Sequence, residues 1–170
     1  VCGRMDYTYY YDAARNALDW HARQLREEHH DWLKTLPYKK DWEDVCFCHG
    51  SPIKIKDFEY VFNVHQAQAL IKNWDELAHI TFIGHSHLTK SFSLHQDDGV
   101  EELFPPVLEF EDDKKYIVTV GSVGQPRDND NRACYGVFDT DDNTFEYFRV
   151  EYDIREAARK IFESDLSSDF

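Results

Sequence analysis

Ala14, Leu18, Ala22 and Leu25 recur at helical spacing, which predicts helix over residues 12–36. Asp12 stands where a cap would start it. The polar run Glu27-Glu28-His29-His30 breaks the apolar row into two helices, and Pro37 ends the second. From Val45 the pattern changes. Val45-Cys46-Phe47-Cys48 is a short apolar run followed by the turn-forming His49-Gly50-Ser51-Pro52, the mark of a buried strand entering a loop. Residues 66–74 read as a short helix. His79-Ile80-Thr81-Phe82-Ile83 reads as a second buried strand, entering Gly84-His85-Ser86-His87. Further strands are predicted over residues 88–94, 100–103, 116–120, 133–138 and 144–152, separated by acidic turns, with the last two forming a hairpin. A final helix opens near Asp153, with Glu156 placed for a capping box and Ile154, Ala157, Ala158, Ile161 and Phe162 on one face. Buried parallel-type strands followed by antiparallel hairpins imply a layered α/β sandwich. Residues 1–163 read as one domain and 164–170 as a tail.

Both buried strands deliver histidines to the loops at their carboxyl ends, where open α/β sheets build their sites. If the strands are neighbours, His49, His85 and His87 converge. Neutral imidazole is a common ligand for Zn, Mn, Fe or Ni. A third stretch, Gly121-Ser122-Val123-Gly124-Gln125-Pro126-Arg127-Asp128, follows the strand over residues 116–120; it can present backbone N–H groups and Arg127 to an anion, or be a tight turn with a surface arginine. Cys46 and Cys48 face one way on their strand and His49 the other, which argues against a Cys-Cys-His metal site and for inert buried thiols. The remaining histidines, His21, His29, His30, His65, His79 and His95, sit on helix surfaces, turns or strand ends and read as structural.

Composition sharpens this picture. Of 170 residues 42% are hydrophobic, so the chain is globular. A net charge of −14 disfavours nucleic-acid backbones and anionic membranes, and a phosphate-bearing substrate would need a local cation. Four cysteines, no signal peptide and no membrane-length apolar run read as a reduced, cytoplasmic protein. The chain starts at Val1 and its sole methionine is Met5, which reads as part of a longer protein.

Taken in order, Cys48-His49-Gly50-Ser51-Pro52, Ile83-Gly84-His85-Ser86-His87 and residues 121–127 resemble the motifs of the calcineurin-like metallophosphoesterase superfamily, specifically its small bacterial and archaeal phosphodiesterase-type members. The resemblance covers most of the chain. It implies an α/β class fold, a layered α/β/β/α sandwich of the metallophosphoesterase type, here lacking its N-terminal strands. It implies divalent metal ions (Mn, Zn, Fe, Ni or Mg) and hydrolysis of phosphomonoester or phosphodiester bonds in a small molecule or nucleotide. It assigns His49 and His85 to one metal and His87 to the other. The family's Asp-x-His and Gly-Asp motifs are absent, and its Gly-Asn-His-Asp falls on Gly3-Arg4-Met5-Asp6, which keeps Asp6 as the candidate catalytic residue but replaces the ligand amide by Arg4 and the leaving-group histidine by Met5. Half a dinuclear site is therefore expected. The alternative reading is a non-catalytic scaffold or single-metal member of the fold. An unpaired sheet edge near residues 45–48 or 79–83, with self-association through it, is also expected.

Overall fold

The computed structural model describes residues 1–3, 6–8, 10–164 and 166. They divide into two compact units, one formed by Val1–Pro37 with Asp153–Phe170 and the other by Tyr38–Tyr152.

The first unit holds helices α1 (Asp12–Gln24), α2 (Glu27–Thr35) and α4 (Ile154–Phe162). The break between α1 and α2 falls at the polar run, as its pattern requires. The expected burial of the α1 row is not met: Ala14, Leu18, Ala22 and Leu25 are half-buried, and no described residue of α1 is fully buried. Nor does Asp12 cap α1. It lies inside the first turn and pairs with Arg15, while Tyr11 takes the cap position without a side-chain bond. Asp153 does cap α4, accepting from the Glu156 N–H at 2.9 Å, but Glu156 turns its carboxylate to Arg159 instead of reaching back to close a capping box.

The second unit is a sandwich of two sheets. One is six-stranded in the order β1-β2-β3-β7-β4-β5 and the other three-stranded in the order β6-β9-β8. Their strands are β1 (Lys39–Trp42), β2 (Val45–His49), β3 (Ile80–Gly84), β4 (Thr89–His95), β5 (Gly99–Leu103), β6 (Val107–Glu109), β7 (Lys115–Val120), β8 (Ala133–Asp139) and β9 (Thr144–Val150). The near-continuous apolar run of β3 reflects its position: it pairs in parallel with β2 on one side and β7 on the other. Along these strands alternate residues face opposite ways. Val45, Ile80, Phe82, Tyr116 and Val118 meet Leu108 and Phe145 of the small sheet and Phe110 just after β6, while Ile83, Phe92, Leu94 and Ile117 pack on the other face with Val61, Ala67, Leu70 and Leu77. Ala67 and Leu70 come from α3 (Val64–Leu70), which Asn63 caps by accepting from the Gln66 N–H at 2.9 Å; a 3-10 stretch, Ile71–Glu76, follows it.

The structure corrects the expected edge. β2 and β3 are both interior strands, because β1 pairs with β2 and β7 with β3; the sequence pattern does not predict β1, whose four exposed residues show no alternation to read. The outer strand of the large sheet on that side is β1. The short β6 was missed as well; three residues after a double proline carry little periodic signal. No helix among the described residues is long and apolar enough to cross a membrane.

Phe82 touches Phe47, Phe110, Phe138 and Phe145, with ring centroids 5.0–6.5 Å apart, and so ties the two sheets together. Phe82→Ala is expected to lower unfolding free energy by about 3–5 kcal/mol in urea denaturation, the cost of a large aromatic cavity. Phe104→Ala, at a ring 80% exposed, is expected to stay within about 0.5 kcal/mol of the parent.

Candidate active site

Parallel pairing of β2 with β3 places the loops after both strands at the same end of the sheet, with His49 directly opposite Gly84. A Cβ on Gly84 would lie 3.0 Å from His49 Nδ1, so glycine is what allows the imidazole to lie across the neighbouring strand. The His49 and His85 rings come within 4.9 Å, centroid to centroid. His85 and His87 both adopt left-handed backbone, with φ of +88° and +61°, a conformation that costs non-glycine residues energy and concentrates at functional sites.

Neighbouring elements hold that geometry. The His87 Nδ1 lies 2.8 Å from the Gln125 carbonyl. A carbonyl only accepts, so Nδ1 carries a proton, and in the neutral ring this leaves the Nε2 lone pair free. The Arg127 N–H donates to the His87 carbonyl at 3.1 Å, and the Leu88 N–H donates to Ser86 Oγ at 3.3 Å. Tyr60 stacks on His85 with centroids 4.1 Å apart and planes 18° from parallel, and Phe58 approaches both His49 and His85 at 6.0 and 6.3 Å. Gly50 makes this possible. At φ +84° its missing Cβ leaves room for the backbone of Phe58 and Glu59, 3.1 Å from where that atom would be. Beside this loop lies a cleft of about 270 Å³ lined by Ser51, Lys54, Tyr60, His65 and Asn73 among others.

Electrostatics favours neutral rings. Burial, with the nearby charge of His87, holds His49 below the ordinary histidine value. Burial and the charges of His49, His87 and Arg127 hold His85 below it as well, against a hydrogen bond with the Phe58 backbone. Arg127 has no carboxylate partner among the described residues and donates to the neutral Gln125 Oε1 at 2.7 Å. The loop carrying it is anchored by Asp128. Burial opposes ionisation there, but the Arg149 and Thr89 bonds outweigh it and keep the carboxyl below the ordinary carboxylate value.

His49, His85, His87 and Arg127 thus share one region. Asp6 belongs to the other compact unit, where its carboxylate accepts from the Thr8 N–H at 2.9 Å and from Thr8 Oγ1 at 2.7 Å; Arg4 and Met5 lie outside the described residues. His21, His30 and His79 each sit within 2.6–3.0 Å of a backbone carbonyl, in keeping with structural roles. All four cysteines are free, and Cys48 Sγ donates to the Gly50 carbonyl at 3.3 Å. Sequence reasoning missed Phe58, Tyr60 and the Asp128–Arg149 pair. The aromatic spacing Phe58-x-Tyr60-x-Phe62 was the available signal for the first two. The last has none, because its partners are far apart in the chain.

Neutral imidazoles are the form that binds transition metals, so the donor chemistry fits a divalent ion. The donor number does not: among the described residues no group of three or more His, Cys, Asp or Glu side chains is arranged to hold one.

No protein-family model matches the chain. An uncharacterised protein of Methanocaldococcus jannaschii is 32% identical over 170 residues, covering 98% of this chain and 67% of its own length. A crystal structure of a metallophosphoesterase from Sphaerobacter thermophilus superposes with a TM-score of 0.76 at 30% identity, spanning 98% of this chain and 68% of that one. A hypothetical protein from Pyrococcus horikoshii OT3 shares the fold with a TM-score of 0.68 at 18% identity, over 93% of this chain and 57% of its own. The fold, with its sandwich and strand-end histidines, is of the metallophosphoesterase class. By this relatedness the chain belongs to the calcineurin-like metallophosphoesterase superfamily, as its three motifs anticipate.

Because the folded values of His49 and His85 lie below the ordinary 6.5, the unfolded chain binds more protons between those values and 6.5. Stability from this pair is complete above about pH 6.5 and is expected to fall as pH drops below it. Urea midpoints at pH 7.5 and 5.5 check this: His49→Gln/His85→Gln should flatten the difference.

Proposed function

We propose that this chain is part of a metal-dependent phosphoesterase that hydrolyses phosphomonoester or phosphodiester bonds of a small molecule or nucleotide. The observation that carries the reading is the pair of imidazoles with lowered proton affinity, His49 and His85, 4.9 Å apart and near Arg127, which has no carboxylate partner among the described residues. His49, His85 and His87 are the donors the chain would contribute. Divalent ions in such sites polarise a phosphoryl oxygen and acidify bound water. The guanidinium of Arg127 is suited to pair with two phosphate oxygens, giving the local positive centre that a chain of charge −14 needs to admit an anion. The cleft beside Tyr60 offers room for the alcohol portion of the ester. By the family resemblance, the remaining donors, including a bridging carboxylate, would come from outside the described residues. Coverage of only 67% and 68% of two relatives is consistent with that. The absence of a three-donor group among the described residues favours a second reading, a single-metal or non-catalytic scaffold.

Zn²⁺ titration by calorimetry is expected to show binding that His85→Ala weakens at least tenfold, about 1.4 kcal/mol. With Mn²⁺ or Zn²⁺ added, the chain alone is expected to turn over bis(p-nitrophenyl) phosphate feebly or not at all, since fixed charge on both sides of the phosphoryl group is what two-metal hydrolysis depends on. Robust turnover abolished by His85→Ala would show that the described residues suffice and would remove the scaffold reading.

A further inference from the structure

Residues 121–132 form a loop that meets His87 through Gln125 and Arg127, and its own anchor is a separate ion pair. Asp128 and Arg149 are among the most buried ion-pair partners in the second unit, with side chains 11% and 17% exposed. Arg149 projects from β9 of the small sheet. Its Nη1 donates to Asp128 Oδ1 at 3.3 Å and to the Asp130 carbonyl at 3.5 Å, and its Nη2 donates to Asp128 Oδ2. Thr89 projects from β4 of the large sheet and donates to Asp128 Oδ2 at 2.9 Å. One carboxylate therefore joins both sheets of the sandwich to the loop. Within the loop, the Gln125 N–H donates to Ser122 Oγ at 3.0 Å, the Gln125 carbonyl faces His87 Nδ1 at 2.8 Å, and the Arg127 N–H donates to the His87 carbonyl at 3.1 Å.

We infer that Asp128 is a positioning residue for this site: clamped between Thr89 and Arg149, it holds the loop so that Gln125 fixes the His87 tautomer and Arg127 stays free of carboxylates. Two consequences of the geometry support the assignment. Asp128 is the residue next to Arg127 and three from Gln125, so fixing its side chain restrains the backbone that carries both. Arg149 also occupies the Asp128 carboxylate, which would otherwise be the adjacent anion for Arg127 to pair with. In a chain with 33 acidic and 19 basic residues, keeping one arginine open to an external anion requires that its neighbours be neutralised by other cations. The inference rests on the reading of His87 as a site residue, but its test does not require catalysis.

The test is imidazole ¹⁵N NMR of the metal-free chain at pH 7.5, comparing the parent with Asp128→Asn, Thr89→Val, Thr89→Ser and Tyr147→Phe. Tyr147→Phe removes the hydroxyl that donates to the Thr119 carbonyl at 2.8 Å, a sandwich bond that does not involve the loop, and so controls for destabilisation alone. In the parent, His87 should show a protonated Nδ1 and an unprotonated Nε2. Asp128→Asn and Thr89→Val should each average the two nitrogens of His87, while Thr89→Ser and Tyr147→Phe keep the parent signature. The same two disruptive variants should weaken inorganic phosphate binding several-fold. A His87 signature unchanged in folded Asp128→Asn, or averaged equally in Tyr147→Phe, would overturn the positioning role. A parent signature with intact Asp128 dependence but no metal binding would instead count against the proposed activity.

Discussion

The site depends on one register, the parallel pairing that sets His49 opposite Gly84. Parallel neighbours end their strands at the same sheet edge, so the two histidine loops meet without a long connection reaching between them. A one-residue slip would turn His49 to the other face, toward the side where Cys48 packs with Ile83 and Ala67. It would also replace Gly84 beside the imidazole by a residue with a side chain. The register is itself enforced by burial. Val45 and Phe82 fill the space between the sheets while Ile83 fills the opposite face, and reversing them would expose both sets.

Around that register the molecule places strained backbone at the candidate site. Two site histidines in left-handed backbone, His85 and His87, each costing of order 1–3 kcal/mol, persist only because their surroundings over-determine them. The Gln125 carbonyl, the Arg127 N–H and the Tyr60 ring each hold one part of that loop. The same neighbours set the electrostatics. Partial burial and mutual proximity favour the uncharged forms of His49 and His85, and among the described residues the Arg127 guanidinium has no carboxylate partner. A region that sets imidazole lone pairs beside that guanidinium is suited to ions and anions in a way that the strongly acidic surface elsewhere is not.

The correction at the sheet edge has the same origin as the reading that succeeded. The strands β2 and β3 announce themselves by short apolar runs, Val45–Cys48 and Ile80–Ile83, although Phe47 of β2 is itself exposed. The strand β1 lies at the border, exposes all four residues and leaves no periodic mark; only its hydrogen bonds to β2 define it. The half-burial of Ala14, Leu18, Ala22 and Leu25 makes a related point, since a helical apolar row fixes which face turns inward but not how deeply it is covered.

The sequence by itself determined the strand-loop units, the three histidines, the arginine loop and the superfamily, because each is a local pattern: an apolar run, a glycine turn and a ligand-type residue at short spacing. Tertiary structure decided the rest. It chose which strands are neighbours, brought Tyr60 and Phe58 onto the imidazoles, selected the His87 tautomer through a carbonyl 38 residues away, and paired Asp128 with Arg149 across the sandwich. These are contacts between residues distant in the chain, and their energies depend on burial and distance, neither of which is written in local spacing.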